Sequence, residues 1–226
     1  MDSILLKISI MLVPGLMAIT CHEVSHGLVA YYLGDNTAKS MGRLTLNPLK
    51  HLDIFGTIMV FIIGIGWAKP VPVNFGNLRR PKRDMVWVAL AGPVTNTLLA
   101  LLSALALRLV VSFTSGLTGH AAQGFVEPII YMLAFSVYIN LLLAIFNLMP
   151  VPPLDGGRVA VGLLPPRQAA VYARIEPFGM IIIILLVFFT DIFSYLFLPA
   201  LDVGVRLFAG PCNQIVFGVV EKFLMH

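Results

Sequence analysis

Charge is what this 226-residue chain has least of. Asp, Glu, Lys and Arg make up 12% of it, while 58% is hydrophobic and the mean hydropathy is +0.92. Soluble domains carry about 25% charged residues, so a water-soluble enzyme of this length is excluded and no separate soluble domain has room to form. Cysteine is nearly absent too. Cys21 and Cys212 fall in apolar surroundings without a spacing pattern, which excludes a disulfide framework and cysteine-based zinc modules. Internal repeats and low-complexity stretches are lacking, and with them solenoid architectures. The first apolar segment has no basic leader and no small-residue cleavage site, so it is expected to stay in place as a signal anchor. The net charge of +4 is not a nucleic-acid patch, because the Lys and Arg residues lie in short segments between apolar runs. They report membrane topology, with no nucleic-acid partner implied.

What the chain does have is a series of long apolar runs. The first extends from Ile4 to Leu33 and stops at Gly34-Asp35-Asn36, a cluster of turn residues. Met41 to Pro48 alternates weakly and reads as a short strand. Ile54 to Ala68 is apolar but short for a membrane crossing. In Lys69-Pro70-Val71-Pro72-Val73-Asn74-Phe75 the prolines forbid helix and leave an extended segment with one usable edge, suited to pairing with an unwound substrate strand. Met85 to Leu107 and Pro128 to Pro150 are uncharged runs of spanning length, with Arg108 placed to snorkel from the end of the first. From Glu176-Pro177 the chain stays apolar to about Phe223, and Asp191, Pro199 and Asp202 break it into two helices.

Lys and Arg put Asp35 to His51, Gly76 to Asp84 and Val151 to Arg174 on the cytoplasmic side and Ser112 to Val126 outside. A fully spanning Ile54 to Ala68 would set its two basic flanks on opposite faces, so a re-entrant or shallow element is expected there. The fold class is an all-α polytopic membrane protein of about five to six transmembrane helices, with a short re-entrant or β element near the active site. It forms a single membrane-embedded domain, 1–226, with a catalytic core at about 4–165 and C-terminal helices at about 175–225.

Within the first run sits His22-Glu23-Val24-Ser25-His26, and Glu23 is the only formally charged residue between Lys7 and Asp35. Ionisable groups at membrane depth are costly and therefore functional by default. Helical spacing of four puts both imidazoles on one face with Glu23 beside them, an arrangement suited to one zinc ion. A catalytic zinc needs a third protein ligand and one open position. Asp155, in Leu154-Asp155-Gly156-Gly157, is the candidate; capping a turn is the plainer reading of it. Glu23 is then the general base on zinc-bound water, returning its proton to the leaving amine. Asn147, in the Asn147-to-Gly157 stretch, is placed to donate to a developing oxyanion; an interhelical hydrogen bond is its plainer reading, as it is for Asn140. His51 and Asp53 suit orientation of a neighbouring loop better than a second metal site. Cys21 is read as packing, and Ala91-Gly92-Pro93 with Asn96 as close helix contact.

With these residues in view, the chain resembles the site-2 protease family of intramembrane zinc metallopeptidases, in a compact form without PDZ or CBS domains. The likeness rests on His22 to His26, on Ala91-Gly92-Pro93-Val94-Thr95-Asn96 and on Asn147 to Gly157. Gly64-Ile65-Gly66-Trp67-Ala68-Lys69-Pro70 looks like the family's glycine-containing loop. The resemblance implies His22, His26 and Asp155 as zinc ligands, Glu23 as catalytic base and Asn147 as an assisting residue. It also implies membrane-embedded protein or peptide substrates in the lipid bilayer; the compact chain fits a prokaryotic plasma membrane, and the Lys and Arg distribution puts the active site toward the cytoplasm. A membrane transporter or metal carrier built on the same cluster is the alternative. It lacks a continuous polar route through the outer halves of the spanning runs.

Overall fold

Backbone N–H and C=O groups inside a bilayer have no water to bond, so a spanning segment must satisfy them within itself. The chain does this with helices. A computed structural model describes residues 4–63, 66–114, 120–191 and 193–224, in the order α1 (Ile4–Tyr32), α2 (Thr37–Ser40), α3 (Ile54–Ile63), α4 (Pro81–Thr114), α5 (His120–Asn147), α6 (Asp155–Leu163), α7 (Pro166–Ala173), α8 (Gly179–Phe189), α9 (Leu198–Ala209) and α10 (Asn213–Leu224). Among the described residues, five stretches are long and apolar enough to cross a membrane: Leu6–Tyr32, Pro81–Thr114, Gly124–Asn147, Pro166–Phe189 and Phe193–Phe223. Large apolar side chains stand exposed along them, including Leu12, Leu98, Leu102, Ile181 and Phe188, as lipid-facing surfaces require. The protein is an all-α polytopic membrane protein.

Two compact units divide the chain, one of Met1–Ala18, Asn96–Ile145 and Ile192–His226, the other of Ile19–Thr95 and Phe146–Asp191. In the first, α4 and α5 are joined by buried polar contacts. Asn96 Nδ2 donates to Asn140 Oδ1 at 2.8 Å and to the Ala18 carbonyl at 3.2 Å, the helix-linking role expected of both asparagines. Arg108 does something other than snorkel: its guanidinium bonds the Ala209 and Phe208 carbonyls at the end of α9, closing orphan acceptors with a cation. The C-terminal run breaks after Phe189 at Thr190 and Asp191, where Asp191 suggests it, but the other two expected breaks move. Pro199 and Asp202 lie inside α9, where Pro199 occupies the first turn and needs no N–H partner, and the interruption falls at Gly210, with φ +54°.

The second unit carries the irregular backbone. Among the described residues no strand forms; Met41 to Pro48 is turn and bend, because Thr45 Oγ1 and Asn47 Oδ1 bond the backbone N–H groups of Asn47 and Leu49 locally. Ten-residue α3 is about 15 Å long, half a hydrocarbon core. The chain comes back to where it entered: Leu52 and Ala68 form an isolated antiparallel bridge and Lys69 N–H bonds the His51 carbonyl at 2.8 Å. This is the re-entrant geometry expected from the basic flanks, although Gly64 and Ile65 of the glycine-containing loop lie outside the described residues. Beyond the bridge the chain forms no helix or turn as far as Asn74, which is extended, consistent with the prolines, and packs by Val73 and Phe75 on a core of Ala30, Leu78 and Val88.

Candidate metal centre

One turn of α1 separates His22 from His26, and their ring centroids are 4.7 Å apart. His26 Nδ1 lies 2.7 Å from the Val88 carbonyl oxygen. A carbonyl only accepts, so Nδ1 carries the hydrogen and the Nε2 lone pair is left facing inward. Asp155 opens α6 and is buried. The loop returns it there because Gly156 and Gly157 fold tightly against the preceding chain; a Cβ on Gly156 would sit 2.2 Å from the Leu148 oxygen, and one on Gly157 2.5 Å from Pro152 N. Its Oδ2 stands 3.0 Å from His22 Nε2 and 3.3 Å from His26 Nε2. The three ligand atoms lie within 4.8 Å of one another.

These residues fit a divalent ion. Two donors bound tetrahedrally at about 2.0–2.1 Å stand about 3.3 Å apart, close to the 3.0 and 3.3 Å from Asp155 Oδ2 to the two nitrogens. Among the described residues, Asp155 Oδ2 is buried with no hydrogen-bond partner. Burial alone would push the Asp155 carboxyl up, but its close contacts with the His22 and His26 imidazoles outweigh that and hold it well below the usual carboxylate range. A buried carboxylate oxygen facing the inward-pointing Nε2 lone pair of His26 is repulsive unless a proton or a cation lies between them.

Residues 10–190 match Peptidase family M50. The chain belongs to this family. It is 41% identical over 199 residues to Putative zinc metalloprotease YwhC of Bacillus subtilis, covering 84% of each chain. It is 30% identical over 177 residues to Rip2 of Mycolicibacterium smegmatis and 31% over 139 residues to MJ0611 of Methanocaldococcus jannaschii, both described in the same words. These alignments take in 76% and 61% of this chain and 63% and 62% of those two relatives. No solved structure matches. The site-2 protease resemblance thus stands on more than three short motifs.

The M50 chain arranges further groups about the trio. Glu23, half-buried on α1, accepts the Val71 N–H on Oε2 at 2.8 Å. Val71 is itself buried, so this N–H is already used and cannot serve as a donor to an incoming strand. Asn147 is the last residue of α5, half-buried and eight residues before Asp155. His51 and Asp53 stay out of the metal group and hold the loop around α3: His51 Nε2 lies 2.8 Å from the Thr45 oxygen, and Asp53 Oδ1 accepts the Gly56 N–H at 2.8 Å. Cys21 joins no ligand cluster among the described residues.

Two participants were not legible beforehand. Gly92 faces the imidazoles so closely that a Cβ would come 2.4 Å from His22 Cε1 and 2.6 Å from His26 Nε2. Ala-Gly-Pro signals close approach without saying of what. The Val88 carbonyl that sets the His26 tautomer is a backbone group, and every residue has one.

Proposed function

We propose that this protein is an intramembrane zinc metalloendopeptidase that hydrolyses peptide bonds within or near the transmembrane segments of other proteins. The observation that carries the reading is the convergence of His22 Nε2, His26 Nε2 and Asp155 Oδ2 beside the Glu23 carboxylate, on a helix long and apolar enough to span a bilayer. Family membership and the zinc metalloprotease names of the relatives support it. His22, His26 and Asp155 would hold one zinc ion, which when bound supplies Lewis acidity toward water and a peptide carbonyl. Glu23 accepts a proton from the attacking water and delivers it to the leaving amine; its held Oε2 leaves Oε1 for that traffic. The Asn147 amide donates to the oxygen on which negative charge develops. Burial of His22 and Asp155, 7% and 6% exposed, keeps bulk water from competing for these hydrogen bonds.

The test is wild type against Glu23→Gln, purified in detergent, with bound zinc measured by elemental analysis and cleavage of a model transmembrane peptide followed by mass spectrometry. Zinc is expected to persist in the variant while cleavage drops by about 10²–10⁴-fold, the contribution of a general base. Equal cleavage by both proteins would overturn the assignment.

A further inference from the structure

Arg43 is buried, 7% exposed, which is rare for arginine without an acidic partner. Among the described residues no carboxylate lies within 4.0 Å of it, and its Nε has no hydrogen-bond partner. Its Nη2 instead donates to the Lys69 carbonyl at 2.9 Å and reaches the Pro70 carbonyl at 3.4 Å. The Pro70 carbonyl and the Val71 N–H belong to one peptide unit, and that N–H is the donor to Glu23 Oε2. A planar trans peptide points its C=O and N–H in opposite directions, so a guanidinium holding one end aims the other. Pro70 and Pro72 have no N–H, leaving Val71 as the single backbone donor in that run.

The close approach needs a second provision. Gly27 lies one helical turn after Glu23, and a Cβ there would stand 2.6 Å from Leu44 Cδ2, 2.8 Å from Val71 Cγ1 and 3.0 Å from Ala38 Cβ. The missing side chain is the space in which Val71 sits against α1. Gly42, at φ +62°, turns the chain after α2, and the Arg43 N–H bonds the Ala38 carbonyl at 2.9 Å, which directs the arginine inward.

We infer that Arg43 and Gly27 are positioning residues for Glu23, acting through the Pro70–Val71 peptide. This rests on the reading of Glu23 as the proton-transferring group. Arg43 fixes and polarises the peptide; its N–H fixes one oxygen of the carboxylate in the orientation the reaction uses.

Three variants test it: Arg43→Gln, Arg43→Lys and Gly27→Ala, each assayed for zinc content, for kcat and KM on a model transmembrane peptide, and for amide exchange of the 69–73 segment by mass spectrometry. Arg43→Gln and Gly27→Ala should lower kcat by about 10–100-fold, the range for groups that orient a site from behind it, with zinc content and KM near wild type. Arg43→Lys, which keeps a charged donor, should recover part of that loss. Exchange of the Val71 amide should accelerate in Arg43→Gln and equally in Glu23→Ala. Wild-type kcat together with unchanged exchange in Arg43→Gln would overturn the inference, as would loss of zinc from both Arg43→Gln and Gly27→Ala, since the residues would then support the metal centre itself. Failure of the function proposed above looks different: Glu23→Gln would then cleave normally while the exchange readout still reported the Glu23–Val71 contact.

Discussion

Whether two imidazoles can share an ion is decided at residue 92 by the absence of a methyl group. His26 is fixed from behind by its bond to Val88, so its ring does not retreat freely from the Cβ of Gly92→Ala, which would also crowd His22. Zinc affinity in that variant is expected to fall by at least about tenfold, the usual scale for disturbing a group that orients a ligand, as read by titration against a competing chelator; unchanged affinity would show the rings to be mobile. Asp35 makes a separate argument. Its buried carboxylate accepts Thr37 N–H and Oγ1, Asn74 N–H and Asn77 Nδ2, between 2.5 and 3.1 Å, pinning the exit of α1 to the stretch that follows Val73. Burial would raise its carboxyl, but these donors prevail and lower it below its ordinary value. The stabilisation is therefore complete above the unfolded pKa, about 3.9, and disappears as pH falls through the lower folded value. Asp35→Asn should cost about 1–3 kcal/mol at neutral pH, and the gap to wild type should close in acid; thermal unfolding in detergent at both pH values checks this. The clustering of His22, His26 and Asp155 was readable because a helix period and a Gly-Gly turn leave marks in sequence. The pocket wall at Gly92 and the buried Arg43 were not, because their meaning comes from residues far along the chain.

Element existence was easier to read than element ends. Spanning runs were bounded by where charge began, yet α4 starts four residues before Met85, since Pro81 suits the first helical position and Asp84 Oδ2 accepts the Arg80 N–H at 2.8 Å. Charges beyond the hydrocarbon do not stop a helix; capping does. By the same logic α6 and α7 went unforeseen, as Gly156-Gly157 and Pro165-Pro166 look like loop although Pro166 opens α7. The strand expected at Met41 to Pro48 failed because Thr45 and Asn47 bond their own backbone. The α9 ending shows what a cap contributes. At Gly210 φ is +54°, and a Cβ would lie 2.5 Å from Arg108 Nη2, so Gly210→Ala meets both a left-handed backbone and a displaced guanidinium. A loss of about 1–3 kcal/mol is expected, measurable as a lower unfolding temperature. Arg108→Gln should give a smaller loss, because it removes the charge and leaves the backbone unstrained.

At the scale of the whole molecule the question is which faces of the bilayer the connections occupy, and α3 decides it. If residues 53–67 crossed the membrane, the basic stretches around Lys39 to Lys50 and around Arg79 to Arg83 would be separated, against the strong preference of Lys and Arg for the cytoplasmic side. The Leu52–Ala68 bridge and the Lys69–His51 hydrogen bond bring the two ends of that segment together, which a crossing cannot do. With five spans among the described residues and this re-entrant element, the Lys and Arg distribution predicts both basic stretches and the 148–165 connection carrying Asp155 on one face, and the 112–126 sequence, which has no Lys or Arg, on the other. Single cysteines introduced by Ser40→Cys, Gly76→Cys and Thr118→Cys in a background lacking Cys21 and Cys212 report this directly. In intact cells a membrane-impermeant thiol reagent should label residue 118 and spare residues 40 and 76; in inverted vesicles the pattern should reverse. Labelling of 40 and 76 from opposite sides would mean that residues 53–67 span the membrane. The Lys69–Val73 segment would then begin on the far side from the exit of α1, and the Val71–Glu23 hydrogen bond would not form.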